Sequence, residues 1–107
     1  MKRDNNLTAF EERVLRAIKA VKKGRVTTYK EVARKIGAPG AGRAVGNALS
    51  KNPWAPKVPC HRIVKSDGRI GGYAGGVKKK IRLLKEEGVI MRNNRVAGFN
   101  KILMRLS

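Results

Sequence analysis

The sequence predicts a mainly α fold with a small β-hairpin, built around two short helices that form a helix-turn-helix unit. Apolar residues recur at helical spacing in three successive segments of the first half of the chain. The second and third of these segments are joined by a tight turn at Pro39-Gly40, as in helix-turn-helix units. Near the other end, two short apolar runs flank Asn93-Asn94, which indicates the hairpin.

The first two helices each begin with a capping-box sequence, in which a threonine and a glutamate three residues later bond each other's backbone amides. Thr8-Ala9-Phe10-Glu11 begins the first helix, which we expect Gly24 to end. Thr28-Tyr29-Lys30-Glu31 begins the second, which Gly37 ends. Residues 1–6 are polar, and we expect them to be loose.

The third helix follows the Pro39-Gly40 turn, ends at Asn52-Pro53 and consists largely of small residues. A glycine inside a helix costs up to ~1 kcal/mol relative to alanine, so a close neighbour must make these residues useful. That neighbour is either a DNA groove or a tightly packed helix. Arg43 stands alone among the small residues as a long cationic side chain.

The second half of the chain begins with a predicted buried strand at Ile63-Val64. Arg69-Ile70 can return as its partner strand after a turn at residues 65–68. The glycine-rich loop at residues 71–76 either lies against a flat ligand, with Tyr73 and backbone amides as walls, or is a flexible linker.

Two more helices are predicted after this loop. Val77, Ile81 and Leu84 set the apolar face of the first, which ends near Gly88. Its start, Lys78-Lys79-Lys80, opposes the helix dipole, which indicates that these lysines serve a partner. Apolar spacing over residues 99–106 predicts an amphipathic helix at the C-terminal end.

Composition limits the classes of function. The chain has 107 residues, the size of one small domain, and carries 26 Lys and Arg against 7 acidic residues, a formal charge of +19. This charge favours nucleic acid or an anionic membrane surface as partner. No run approaches the ~20 apolar residues of a membrane span and no secretory signal is visible, so we expect a soluble, cytoplasmic protein.

The positive charge and the helix-turn-helix pattern together predict a winged-helix-like, DNA-binding helix-turn-helix domain with a nucleic-acid partner. The alternative is a helical pair that merely packs a core beneath a solvated basic surface.

Cys60 and His61, the only cysteine and the only histidine, are adjacent. One of each makes a poor metal site, so we expect no metal. A thiol is mostly protonated at neutral pH, and a nearby base makes it a useful nucleophile. His61 is the candidate base, acting through a bridging water, and Glu87 is the candidate carboxylate that orients it. A buried inert cysteine is the alternative.

The segment Pro59-Cys60-His61-Arg62, followed by Ile63-Val64, resembles the active-site motif of the alkylguanine–DNA alkyltransferases. The resemblance covers residues 7–96. Five other motifs fall in the family's order and spacing: Gly24-Arg25-Val26-Thr27-Thr28-Tyr29, Arg43-Ala44-Val45-Gly46, Asn52-Pro53, Gly72-Tyr73-Ala74-Gly75-Gly76 and Leu83-Leu84-x-x-Glu87-Gly88.

This resemblance implies repair of DNA by direct, irreversible transfer of an alkyl group from the exocyclic oxygen of guanine to Cys60, with thymine as a second candidate substrate. The protein would bind double-stranded DNA from the minor groove as a monomer and flip the alkylated guanine out of the stack. Arg43 would fill the vacated space, and Tyr29 would move the target phosphate and border the pocket. His61, supported by Glu87, would deprotonate Cys60 through water.

The same resemblance implies roles for the remaining site residues. Tyr73 would protonate the departing guanine or hydrogen-bond to it, while the Ala74 amide and the Cys60 and Ile63 carbonyls would bind the base edge. Asn52 would hold the turn that carries Cys60. The thioether product is stable, so each molecule would react once without a cofactor. The small residues that would let the third helix enter the groove are Ala41, Ala44 and Gly46.

Three features depart from the family pattern. Leu7 begins the DNA-binding half directly, so we expect the N-terminal domain that family members usually carry, and the zinc site of some members, to be absent. Trp54-Ala55-Pro56 stands where the family often has Asn-Pro-x-Pro, so we expect Ala55 to open one wall of the pocket. Residues 97–107 form a helical extension beyond the domain at 7–96, which we expect to cover apolar surface.

Two other functions stay open at this point. A non-enzymatic alkyltransferase-like protein would bind the same lesion without reacting, but relatives of that kind replace the active cysteine, commonly with Trp. A helix-turn-helix regulator would account for the charge while leaving Cys60 and His61 without a use.

Overall fold

The structure is a computed structural model that describes residues 7–106, so the predicted loose segment 1–6 lies outside the described residues. The predicted mainly α fold is confirmed. No helix in this range is long and apolar enough to cross a bilayer. The elements are α1 (Ala9–Ile18), β1 (Thr27–Thr28), α2 (Tyr29–Lys35), α3 (Gly42–Leu49), a 3-10 turn (Cys60–Arg62), β2 (Ile63–Val64), α4 (Val77–Glu86), β3 (Met91–Arg92), β4 (Arg95–Val96) and α5 (Phe99–Ile102).

Two apolar clusters hold these elements together. The larger lies among α1, α2 and α3, and Cys60 and Leu106 belong to it. The smaller joins β2, α4 and the β3–β4 hairpin around Leu84. Ile63 belongs to the larger cluster and Val64 to the smaller, so β2 connects the two halves of the core just after the Cys60 turn.

The predicted end of α1 at Gly24 is wrong, because the helix ends at Ile18. Its start is as predicted, since Thr8 and Glu11 form both bonds of the capping box. After Ile18 the chain continues in short turns, yet Val21 stays buried. The Val21 carbonyl accepts a bond of 2.8 Å from the Arg62 guanidinium, a tertiary contact in place of a further helical one.

The second capping box forms only by half. The Glu31 amide bonds the Thr28 hydroxyl at 3.0 Å, and Gly37 adopts the left-handed conformation just after α2, as predicted. The Glu31 carboxylate instead accepts from Arg34, at 2.7 and 3.0 Å, and from the Leu106 amide at 2.6 Å. A distant partner has therefore replaced the local one.

The predicted pairing of Ile63-Val64 with Arg69-Ile70 is wrong. β2 pairs in parallel with β1, with Thr27 opposite Ile63. The turn at residues 65–68 does form, closed by a bond of 2.9 Å from the Lys65 amide to the Arg69 carbonyl. Ile63 and Val64 are both fully buried, and a strand buried on both faces is typical of a parallel arrangement rather than an exposed hairpin.

The hairpin predicted around Asn93-Asn94 is confirmed. β3 and β4 are antiparallel, with Met91 opposite Val96 and Arg92 opposite Arg95. Asn93 and Asn94 both adopt positive φ, 51° and 62°, as a two-residue hairpin turn requires.

The predicted helix over residues 99–106 is wrong, because α5 is a single turn. Beyond it the chain runs extended beside β1: the Val26 amide bonds the Ile102 carbonyl at 3.0 Å, and the Met104 amide bonds the Val26 carbonyl at 2.7 Å. The Leu106 side chain is buried in the larger cluster. This segment covers apolar surface, as expected, but as an added edge segment rather than as a helix.

Candidate active site

The segment before Cys60 is held by Asn52. Its side-chain amide donates to the Val58 carbonyl at 2.7 Å, and its side-chain oxygen accepts from the Trp54 amide at 2.9 Å. The 3-10 turn then buries Cys60 and His61, which are 4% and 1% exposed. Asn52 therefore braces the turn that fixes the thiol.

Cys60 lines a cavity of about 450 Å³ between α3 and the glycine-rich loop. Six predicted site residues line it, whereas six do not: Ala41, Ala44, Asn52, Ile63, His61 and Glu87. His61 and Glu87 line a different cavity. Ala55 does not line it either, so the expectation that Ala55 opens a wall of the pocket is wrong. The lining residues are Tyr29, Gly42, Arg43, Gly46, Leu49, Ser50, Cys60, Lys65, Gly72, Tyr73 and Ala74.

Tyr29 lies between α3 and the glycine-rich loop. A Cβ on Gly46 would sit 3.8 Å from its ring, and one on Gly71 only 2.7 Å from its hydroxyl. The Tyr29 hydroxyl donates to the Gly72 carbonyl at 3.4 Å. The close neighbour of these glycines within the fold is thus the aromatic ring of Tyr29. The two neighbours expected from the sequence were a DNA groove and a tightly packed helix.

Tyr73 forms the other aromatic wall. Burial, and then the neighbouring Cys60, raise the pKa of its phenol. A Cβ on Gly75 would lie 3.0 Å from the Tyr73 ring, so the ring packs closely against the loop backbone at this position. A neutral phenol beside the thiol can donate a proton to a group in the cavity.

His61 is paired with Glu87. Its Nε2 lies 2.9 Å from the Glu87 carboxylate, which also accepts two bonds from Arg62, at 2.7 and 3.0 Å. Burial lowers the pKa of His61 although Glu87 opposes this. Burial would raise the pKa of Glu87, but the bonds from Arg62 and His61 outweigh it and lower the pKa.

This pairing determines which nitrogen of the His61 ring carries the proton. With a neutral imidazole beside an ionised carboxylate, Nε2–H donates to Glu87, and Nδ1 keeps its lone pair. Nδ1 is buried and has no hydrogen-bond partner among residues 7–106. It is therefore the ring nitrogen that is free to accept a proton.

Lys80 lies beside the candidate site, although its position in the sequence predicts contact with a partner. We expected it to serve a partner, but it is fully buried, and its ammonium donates to the Ile63 carbonyl at 2.6 Å and to the Gly72 carbonyl at 3.0 Å. It also lies 5.8 Å from the centre of the Tyr29 ring. The available signal for its burial was its helical spacing of four residues from Leu84, which is buried. Val77, which was expected on the apolar face, is 40% exposed.

Lys80 leads to a testable pH dependence. Burial lowers the pKa of its ammonium to about 8 from 10.5, so the folded state binds fewer protons than the unfolded chain between these pH values. The contribution of Lys80 to the free energy of unfolding should therefore rise with pH between these two pKa values, by about 3 kcal/mol in all. Urea unfolding of wild type and of Lys80→Met at several pH values tests this. The same pH slope in both proteins would contradict it.

Two cations stand at the rim of the cavity. Arg43 and Lys65 are both exposed, and neither side chain has a hydrogen-bond or ion-pair partner among the described residues. Lys65 was not predicted as a site residue, because a lysine in a turn carries no distinctive signal. Residues 7–106 contain no group of His, Cys, Asp and Glu that could hold a metal.

The model of the family "6-O-methylguanine DNA methyltransferase, DNA binding domain" matches residues 9–89. Over 82 residues the chain is 48% identical to a methylated-DNA–protein-cysteine methyltransferase of Methanothermobacter thermautotrophicus, covering 77% of this chain and 46% of the relative. The corresponding protein of Mycobacterium leprae is 46% identical over 80 residues, covering 75% of this chain and 48% of the relative. The chain thus spans about half the length of these curated relatives.

Solved structures show the same likeness. Mycobacterium tuberculosis OGT in complex with DNA is similar with a TM-score of 0.74 and 46% identity, covering 76% of this chain and 50% of that one. S. pombe Atl1, in complex with damaged DNA containing O6-carboxymethylguanine, is similar with a TM-score of 0.77 at 28% identity. That match covers 98% of this chain and 99% of Atl1.

Proposed function

The chain belongs to the 6-O-methylguanine DNA methyltransferase family, and from that premise we propose that it repairs alkylated DNA by transferring the alkyl group to its own Cys60. One observation carries the proposal: the thiol lines a cavity beside an aromatic wall, while the adjacent imidazole is paired with a carboxylate. A thiol without such a base would stay protonated and inert at neutral pH.

The proposed reaction is a direct displacement. The Cys60 proton passes through water to Nδ1 of His61, and Glu87 stabilises the imidazolium. The thiolate sulfur forms a bond to the alkyl carbon as that carbon's bond to O6 of guanine breaks. The Tyr73 phenol gives a proton to the leaving guanine, and the proton on the His61 imidazolium then returns through water to the Tyr73 phenolate. Thiol and alkylguanine thus become thioether and guanine, with His61 and Tyr73 both neutral again.

The burial of Cys60 in the cavity supports a reaction on a base that has left the duplex. An atom inside a base stack cannot reach a thiol that is 4% exposed, so the alkylated guanine must be flipped into the cavity. Arg43, exposed at the rim on α3, is placed to fill the space left behind. The small residues of α3 support binding in the minor groove, and we expect one protein molecule per lesion.

A second candidate function is lesion binding without reaction. The similarity to Atl1 over nearly the whole chain favours it. The presence of Cys60 with the His61–Glu87 pair favours the enzyme, because a binding protein needs no paired base beside a thiol.

One experiment separates these candidates. Duplex DNA carrying a radiolabelled alkyl group on guanine is incubated with wild type, Cys60→Ala and the control Asn100→Ala. We expect stable label on wild type and the control, and none on Cys60→Ala. Labelling of Cys60→Ala would refute the assignment. Wild type that binds the lesion without acquiring label would identify a lesion-binding protein, and equal binding of damaged and undamaged DNA without label would indicate a regulator.

A further inference from the structure

We propose that the β3–β4 hairpin and the turn at residues 65–68, which packs beside it, form a second phosphate-binding surface. This surface would extend the DNA contact sideways from the cavity, and the proposal rests on the proposed function. We call this surface the basic strip. Its hairpin residues lie beyond the residues 9–89 that the family model matches. It consists of Lys65, Arg69, Arg95 and Arg92.

The basic strip is continuous through the backbone. The Lys65 amide bonds the Arg69 carbonyl at 2.9 Å, Arg69 forms a bridge with Arg95, and Arg95 lies opposite Arg92 in the hairpin. Further bonds of 2.9 Å, from Ile70 to Asn94 and from Val96 to Gly68, fix the hairpin against the turn. Lys65, at one end, lines the Cys60 cavity. The strip therefore begins where the flipped nucleotide would enter.

The charges of the basic strip are poorly matched within the protein. The strip carries four cations, and the carboxylate that contacts it is Asp67, which is bonded to Arg69 at 2.7 Å. Arg95 donates to the Asp67 backbone carbonyl at 3.3 Å, and Arg92 has no side-chain partner within residues 7–106. Like charges directly opposite each other destabilise a hairpin, and Arg92 lies opposite Arg95. A bound external anion would reduce this repulsion.

The dimensions fit a DNA backbone. Neighbouring β segments are about 4.8 Å apart, so the three steps from Lys65 to Arg92 span roughly 15 Å. Phosphates along one strand advance about 3.4 Å per base pair along the helix axis, so this span corresponds to about four base pairs. Polyanions of other shapes would also meet the charge, but the origin of the strip at the cavity rim favours the same duplex that carries the lesion.

The test removes the two hairpin charges together. Arg92→Gln/Arg95→Gln is compared with Arg92→Lys/Arg95→Lys, which keeps the charge, and with Lys19→Gln/Lys22→Gln, which removes two charges on the segment after α1. Equilibrium binding to a duplex that extends well beyond the lesion is measured as a function of salt. The glutamine variant should bind on the order of tenfold more weakly, and its log–log salt slope should be shallower by about 2. The other two double variants should keep a slope near that of wild type.

Two further measurements separate the outcomes. Label transfer from free alkylguanine should be equal in wild type and the glutamine variant; if wild type takes no label, the proposed function fails independently of the strip. On a duplex that ends close to the lesion, the wild type and the glutamine variant should bind alike. A glutamine variant with the wild-type salt slope on the long duplex would overturn the basic strip, as would a loss matched by the Lys19→Gln/Lys22→Gln control.

Discussion

Replacing Glu87 with Gln should slow alkyl transfer to Cys60 by about 100-fold or more, the lower range of what a positioned acid–base pair contributes. The glutamine can still accept a bond from His61, but it removes the negative charge that stabilises the imidazolium when the thiol proton arrives. The single-turnover rate constant on free alkylguanine measures this effect without any contribution from DNA binding.

The pH profile distinguishes this effect from general damage. Glu87 raises the pKa of His61 against the lowering by burial, so in Glu87→Gln the acidic limb of the rate profile should move to lower pH while the maximum falls. Glu86→Gln is the matched control, because Glu86 is 63% exposed and pairs only loosely with Arg82. Wild-type rates in Glu87→Gln would exclude His61 and Glu87 as the base system.

Replacing Arg43 with Ala should lower the rate of repair of duplex DNA by about 100-fold and leave reaction with the free alkylated base unchanged. Flipping a base out of the stack costs a few kcal/mol, and a side chain that fills the vacated space offsets much of it. Since each 1.4 kcal/mol is about tenfold in rate, losing roughly 3 kcal/mol gives the expected factor. The Arg43 side chain has no partner among residues 7–106, so its removal should cost little folding stability.

Arg16→Ala is the control for charge alone, because Arg16 is exposed on α1 and does not line the cavity. It should weaken duplex repair only slightly. Equal losses on duplex and free base in Arg43→Ala would place Arg43 in the chemistry rather than in extrusion. A duplex with the alkylguanine opposite a mismatch, where less pairing energy is lost, should partly rescue Arg43→Ala.

The sequence predicts best where the information is local. The caps at Thr8 and Thr28, the turn at Pro39-Gly40 and the Asn93-Asn94 hairpin each follow from residues a few positions apart, and the structure contains all of them. The His61–Glu87 contact was accessible as well, through the family resemblance and the unusual helix end.

The wrong predictions concern residues whose conformation depends on a partner far away in the sequence. The Glu31 carboxylate leaves its own helix cap for the Leu106 amide, 75 positions away. β2 pairs with β1 rather than with the nearby Arg69-Ile70. Lys80 enters the core because two carbonyls and the Tyr29 ring receive its ammonium, and its helical spacing from Leu84 does not identify these partners. Each case is a tertiary contact that overrides a local preference.

The edge segment beside β1 has a consequence for synthesis of the protein. Val26 pairs with Leu103, 77 positions later, and Thr27 bonds the Met104 carbonyl. Contacts of such long sequence separation form late, because the loop they close must first be ordered. At about 5–20 residues per second, the ribosome takes several seconds to progress from one partner to the other. During that interval the half of the chain that carries Cys60 exists without this edge segment, so this part of the fold is completed only after residues 103 and 104 have been synthesised.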